Sequence, residues 1–198
     1  KADVNDQLSY ALIYDQPFGA DVDYPTGTGY FAQGASAEFN SHALTGVLRY
    51  KMPSNVSVYG GIRVQSVEAT AVVPFAGNYS VEGDRDVGVG YVLGAAYEKP
   101  EIALRVSLTY NSKIKHDVTT AETSVLGGPN TSNTEIETPQ SLNLEFQTGI
   151  AADTLLFGGV RWVEWSEFDI SPANYQTLTS GGSLVSYEDD VFTYTLGV

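Results

Sequence analysis

Along much of this chain every second residue is apolar. In Ser141-Leu-Asn-Leu-Glu-Phe-Gln-Thr-Gly-Ile150, Leu142, Leu144, Phe146, Thr148 and Ile150 share one face, and Ser141, Asn143, Glu145, Gln147 and Gly149 share the other. A helix would bury Glu145 and Gln147 with the leucines, whereas a strand separates them. Ile102, Leu104, Val106, Leu108 and Tyr110 repeat the pattern, as do Val87, Val89, Tyr91, Leu93, Ala95 and Tyr97. Leu8, Tyr10, Leu12 and Tyr14 form a similar face, and so do Leu44, Leu48 and Tyr50. Apolar parity slips between Ile62/Val64 and Val67/Ala69, which predicts a β-bulge near Gln65-Ser66; a second is expected near Val163-Glu164.

This patterning predicts about eight antiparallel strands of roughly 10–17 residues, against about 5–6 in soluble proteins. Crossing a bilayer takes about 9–11 residues per tilted strand. The connections alternate. Met52–Asn55, Glu98–Glu101 and Ala151–Asp153 read as tight turns; Gly19–Ala35, Pro74–Asp86, His116–Thr138 and Ser171–Asp190 read as long polar loops. Short turns at one end and long loops at the other predict an all-β, antiparallel transmembrane barrel. Aromatic residues near strand ends (Tyr14, Phe18, Tyr24, Tyr97, Tyr110, Trp162, Trp165 and Phe168) suit interfacial girdles.

Composition narrows the classes. The 198 residues include 13 Tyr, 8 Phe and 20 Gly but no Cys, so disulfides and thiolate metal sites are excluded. The net charge of −14 argues against nucleic acid as a partner on electrostatic grounds. No apolar run is long enough for a membrane helix. The only histidines, His42 and His116, have no acidic or serine partner at a motif spacing, so no catalytic residue, metal or cofactor is expected. Gly88, Gly90 and Gly94 sit inside a strand pattern, where small inward residues ease packing. The loop acids could bridge divalent cations to lipopolysaccharide or simply solvate the loops.

Two features carry candidate chemistry. By parity, Arg49, Arg63, Arg105, Lys113, Lys115 and Arg161 point to the polar, inward face. Arg63, Arg105, Lys113 and Arg161 are the candidate lumen ligands for an anionic head group, or else partners of Glu68, Glu98 and Glu145. In Asp15-Gln-Pro-Phe-Gly19, Pro17 removes a ladder donor late in a strand, so the wall should break or the strand should end there.

Three stretches resemble the outer-membrane long-chain fatty acid transporters, the FadL/TodX hydrocarbon-uptake family. They are Val4–Gly19, Gly94–Lys115 and Glu137–Phe168. The resemblance implies a barrel of about fourteen strands closed around an N-terminal plug. Residues 1–198 would then be part of one such barrel domain, without its plug or closing strands. It implies an outer-membrane location beside lipopolysaccharide, a monomeric barrel, and passive uptake of hydrophobic small molecules, foremost long-chain fatty acids. Aromatic-hydrocarbon uptake, a general porin and a soluble all-β binding module are the alternatives. A lateral portal is implied at a kink spanning Gln16, Pro17, Phe18, Gly19 and Asp21, and a capture groove between Pro74–Asp86 and His116–Thr138.

Overall fold

Residues 1–198 are described by a computed structural model. A two-residue β1 (Ala2–Asp3) borders β2 (Leu8–Asp15), and β3 (Gly19–Asp23) continues beyond a gap. Three long strands follow: β4 (Ser36–Lys51), β5 (Val56–Val73) and β6 (Tyr79–Lys99), of 16, 18 and 21 residues. Next come β7 (Leu104–Asn111), β8 (Ile114–Ser124), β9 (Gly127–Thr138), β10 (Ser141–Ala151) and β11 (Thr154–Val163). The chain ends with β12 (Asp169–Ile170), the helix α1 (Ala173–Thr179), β13 (Val185–Ser186) and β14 (Val191–Gly197).

The wall is an antiparallel sheet in the order β2-β4-β5-β6-β7-β10-β11-β14, the eight strands that alternation predicts. Cross-strand partners share a face, so register fixes the two surfaces. Outside, Tyr14 pairs with Leu44, Leu44 with Val64, and Val64 with Val89. Farther round, Leu93 pairs with Tyr110, Tyr110 with Leu142, Leu142 with Trp162, and Trp162 with Phe192. These side chains form a continuous exposed apolar band; Leu12, Leu196 and Tyr194 are 69%, 76% and 74% exposed. On β6 the band runs from Val87 to Tyr97, about 33 Å along a strand and about 25 Å once tilted, the height of a membrane-facing belt.

Of the two expected bulges, one is displaced and the other is absent. The pairing of β4 with β5 is unbroken through Gln65 and Ser66. The irregularity lies across the strand, where Val67 faces Asp86 and Ala69 faces Gly83, leaving the extra residue on β6 at Asp84-Arg85. Glu68, opposite it, takes the Arg85 guanidinium at 3.0 Å. The parity slip of β5 has another cause: its lower part faces lipid with one set of residues, while its upper part buries Val67 and Ala71 of the other set. Near Val163 there is no bulge, because β11 ends there and a 3₁₀ turn, Trp165–Glu167, follows.

The polar loops are the larger correction. Pro74–Asp86 is mostly strand, and only residues 74–78 turn. His116–Thr138 is the β8–β9 hairpin, with His116 opposite Ile136 and Thr120 opposite Ser132. This hairpin hydrogen-bonds to the top of β6, Ser80 facing Thr123 and Gly83 facing Thr120, so the two segments are joined as paired strands. Gly19–Ala35 begins with β3, and Ser171–Asp190 holds α1 and β13.

Above the apolar band the sheet thus continues into a cap with its own dry core. Val67, Val118, Ile136, Phe168 and Ile170 form one buried cluster, and Ala71, Tyr79 and Val81 another. Each large side chain there contributes about 1.5–3 kcal/mol by leaving water. Gly88 and Gly90 let the base of the hairpin cross the inner wall. A Cβ on Gly88 would stand 2.5 Å from the Ile114 side chain and 2.7 Å from the Lys115 carbonyl. Their smallness serves packing, as the strand context implied.

Candidate functional site: two cavities beside a break in the wall

The lower cavity, on the polar inner face of the wall, is about 590 Å³ and lined mostly by polar residues. Arg49, Arg63, Arg105 and Arg161 all reach it. Arg49 binds Glu98 at 2.7 Å, and Arg105 approaches the same carboxylate at 3.8 Å. Arg63 donates to Thr45 Oγ1 at 2.9 Å and pairs with Asp15 at 3.4 Å. Arg161 lies beside Asn143 of β10, its cross-strand partner. Lys113 does not join them. It binds Glu137 at 2.8 Å at the foot of the hairpin, and that carboxylate raises its pKa. Lys115 likewise pairs with Glu135 at 3.0 Å on the outer face. The hairpin's turn away from the wall reverses which parity faces the interior.

The upper cavity, about 310 Å³, lies inside the cap, and 16 of its 23 lining residues are hydrophobic. Its walls come from β3, the upper parts of β4, β5 and β6, the β8–β9 hairpin, and residues 165–187. Aromatic rings dominate one side. Trp165 meets Phe18, Phe168 and Tyr187 edge to face at centroid distances of 5.5, 5.3 and 5.2 Å. Phe39 meets Phe168 the same way at 6.1 Å. Phe18, Trp165 and Phe168 were expected in a membrane girdle; the end of β11 instead turns the two latter rings inward. Glu38 is the only charged residue in this lining.

Between the cavities the wall is interrupted. Asp15 pairs with Ala43 and Gly19 with Asn40, so three residues, Gln16 to Phe18, stand opposite only two, Ser41 and His42. Pro17 offers no amide, and the partner strand fills in with side chains. Ser41 Oγ accepts the Phe18 N–H at 3.0 Å and donates to the Phe18 carbonyl at 2.5 Å. His42 Nδ1 lies 2.7 Å from the Tyr14 hydroxyl and 3.2 Å from Gln16 Nε2. Phe18 lines both cavities, and Pro17 lines the lumen. Asp21 lies past the break, paired in β3 with Glu38 and exposed.

Sequence reasoning missed Ser41, Phe39 and the hairpin interior. Ile114, His116, Val118, Thr120 and Glu122 do alternate with exposed residues, but three of the five are polar, so the alternation carries no hydrophobic signal. His116 is buried against Asp86 at 3.1 Å; burial lowers its pKa, outweighing the carboxylate.

This architecture agrees with comparisons to known proteins. Residues 1–198 match the family model described as outer membrane protein transport protein (OMPP1/FadL/TodX). A FadL homologue from Pseudomonas aeruginosa superposes with a TM-score of 0.74 at 16% identity, over 98% of this chain and 54% of that one. The toluene transporter TbuX from Ralstonia pickettii gives 0.63 at 11% identity, over 96% and 60%. The toluene transporter TodX from P. putida gives 0.59 at 12%, over 98% and 60%. The chain thus spans a little over half the length of the structures it matches. Comparison with curated protein sequences returned no match. The chain belongs to the OMPP1/FadL/TodX family of outer membrane transport proteins.

Proposed function

We propose that this chain forms the substrate-conducting half of a passive channel for uncharged hydrophobic compounds, one- or two-ring hydrocarbons above all. The observation that carries this reading is the charge pattern of the upper cavity. No cation lines it, and its one charged lining residue is an acid, Glu38. Asp21 and Asp23 flank the lining residues Ala20 and Val22 on β3. A carboxylate entering this space would lose hydration and gain no counter-charge. A neutral ring loses little. The edge-on rings of Trp165, Phe168 and Phe18 offer it the geometry that aromatic pairs favour. A dry cavity of about 150 Å³ can hold benzene, so about 310 Å³ suits a substituted or fused ring.

The route follows from position. Exposed Tyr24, Tyr30, Phe31 and Phe75 at the outer tip give a hydrocarbon its first contact, and the upper cavity holds it. The break at Gln16–Phe18 borders that cavity through Phe18 and releases the compound sideways into the bilayer. No step consumes energy; apolar transfer drives it at about 25 cal/mol per Å². Long-chain fatty acids are the second reading, favoured by one observation: Arg63, Arg105 and Arg161 in the lumen could hold a carboxylate whose tail reaches upward past Phe18.

Proteoliposomes of the complete barrel separate these cases. Labelled ethylbenzene should accumulate faster than in empty liposomes, and oleate should not. Oleate uptake without ethylbenzene uptake would establish the second reading. Sugar conductance in planar bilayers would point to a general pore.

A further inference from the structure

The cap contains a buried carboxylate that neither the cavities nor the break employs. Glu122, 1% exposed on β8, accepts four hydrogen bonds. Its Oε2 takes the Tyr79 hydroxyl at 2.9 Å and the backbone N–H groups of Asn174 and Tyr175 at 3.0 and 3.1 Å. Its Oε1 takes the Ser132 hydroxyl at 2.9 Å. A charge so deeply buried persists only when donors surround it. Burial and the neighbouring carboxylate push the Tyr79 phenol far above its ordinary range, so it remains a donor.

Two of these donors open α1. Pro172 precedes the helix and provides no side-chain cap, so the hairpin supplies the missing acceptor across 52 residues of sequence. The segment so held, residues 165–187, is a strap over the upper cavity. It contributes seven of the 23 lining residues, Trp165, Phe168, Leu184 and Tyr187 among them. Its base is tied separately: Asp190 accepts the Ser166 hydroxyl at 2.6 Å and the Trp162 indole at 2.9 Å. The strap is thus anchored at its foot by Asp190 and at its far end by Glu122.

We infer that Glu122 is a positioning residue that holds the strap closed over the upper cavity and thereby sets how long a hydrophobic ligand stays. This rests on the reading of that cavity as the ligand site. Without Glu122 two helix amides and a phenol lose their acceptor, the strap lifts, and the aromatic wall goes with it. The ligand touches none of the clamp.

The test compares E122A with E122Q in the complete detergent-purified barrel, with naphthalene fluorescence in stopped flow as the probe. E122A should speed naphthalene dissociation about tenfold. E122Q should stay within about threefold of wild type, since its amide oxygen still accepts from Asn174 and Tyr175 while its nitrogen faces the Ser132 hydroxyl. Chymotrypsin should cut the strap at Tyr175 or Tyr187 faster in E122A alone. If wild type binds naphthalene and E122A releases it no faster, the clamp is refuted; equal acceleration in E122Q also refutes it. If wild type binds none, the cavity reading fails, and the chymotrypsin comparison still decides whether Glu122 holds the strap. Should E122A not reach the folded, heat-modifiable form, Y79F removes one donor and should give a smaller shift in the same direction.

Discussion

Deleting Pro17 should close the wall. Between the paired positions Asp15 and Gly19 the chain has three residues, and between Ala43 and Asn40 it has two. Removing Pro17 equalises the counts, sets Gln16 opposite His42 and Phe18 opposite Ser41, and keeps Asp15 and Gly19 on their present faces. The strand would regain up to two ladder hydrogen bonds at about 0.5–1.5 kcal/mol each. A gain of about 1–3 kcal/mol lowers the population of the open break by roughly fivefold to a hundredfold. Ethylbenzene uptake by proteoliposomes should fall within that range. Naphthalene binding in the upper cavity should change only as far as Phe18 shifts against Trp165, because the rest of the cap is untouched. Closure is checked by hydrogen exchange, in which the Phe18 amide, held by the Ser41 hydroxyl in the native wall, should become more protected. A more protected Phe18 amide with unchanged uptake would refute the lateral route and leave transport to pass down the lumen.

Other perturbations test the parts around it. Gly88→Val sets a side chain against Ile114 and the Lys115 carbonyl, so overpacking of about 1–3 kcal/mol should loosen the hairpin, read as faster proteolysis within residues 116–138. Ile136→Ala empties the centre of the larger buried cluster; a loss of about 2–5 kcal/mol in the cap should weaken naphthalene binding severalfold or more while the band of exposed apolar residues still inserts. Acidification should loosen the same region through His116. Its folded pKa is lowered, so the unfolded hairpin binds the proton more readily and stability falls as pH drops below the ordinary histidine value of about 6.5. Proteolysis of the hairpin should accelerate as the pH falls below about 6.5, and His116→Gln should remove that pH dependence.

Of the fold, the wall was legible in the chain and the cap was not. Alternation such as Leu142, Leu144 and Phe146 against Asn143 and Glu145 survives tertiary folding because lipid outside and water inside impose opposite demands at every step. The break was legible for a local reason: Pro17 lacks an amide wherever it sits. That local signal could not reveal Ser41, since a serine in a strand says nothing until Phe18 is placed beside it. Arg63, Arg105 and Arg161 followed their parity into the lumen; Lys113 did not, because the hairpin leaves the plane of the sheet just there.

The amino-acid order by itself determined the eight strands of the wall, the membrane-facing surface and the point of interruption, all consequences of nearest neighbours along one strand. Tertiary structure decided the rest. Polar segments that read as loops became strands once β6 offered its edge to β8, and Val67, Val118 and Phe168 became a dry core only when three distant segments met. The apolar cavity exists nowhere in the order of residues, because its walls are brought together by contacts more than a hundred positions apart, such as Phe39 with Phe168.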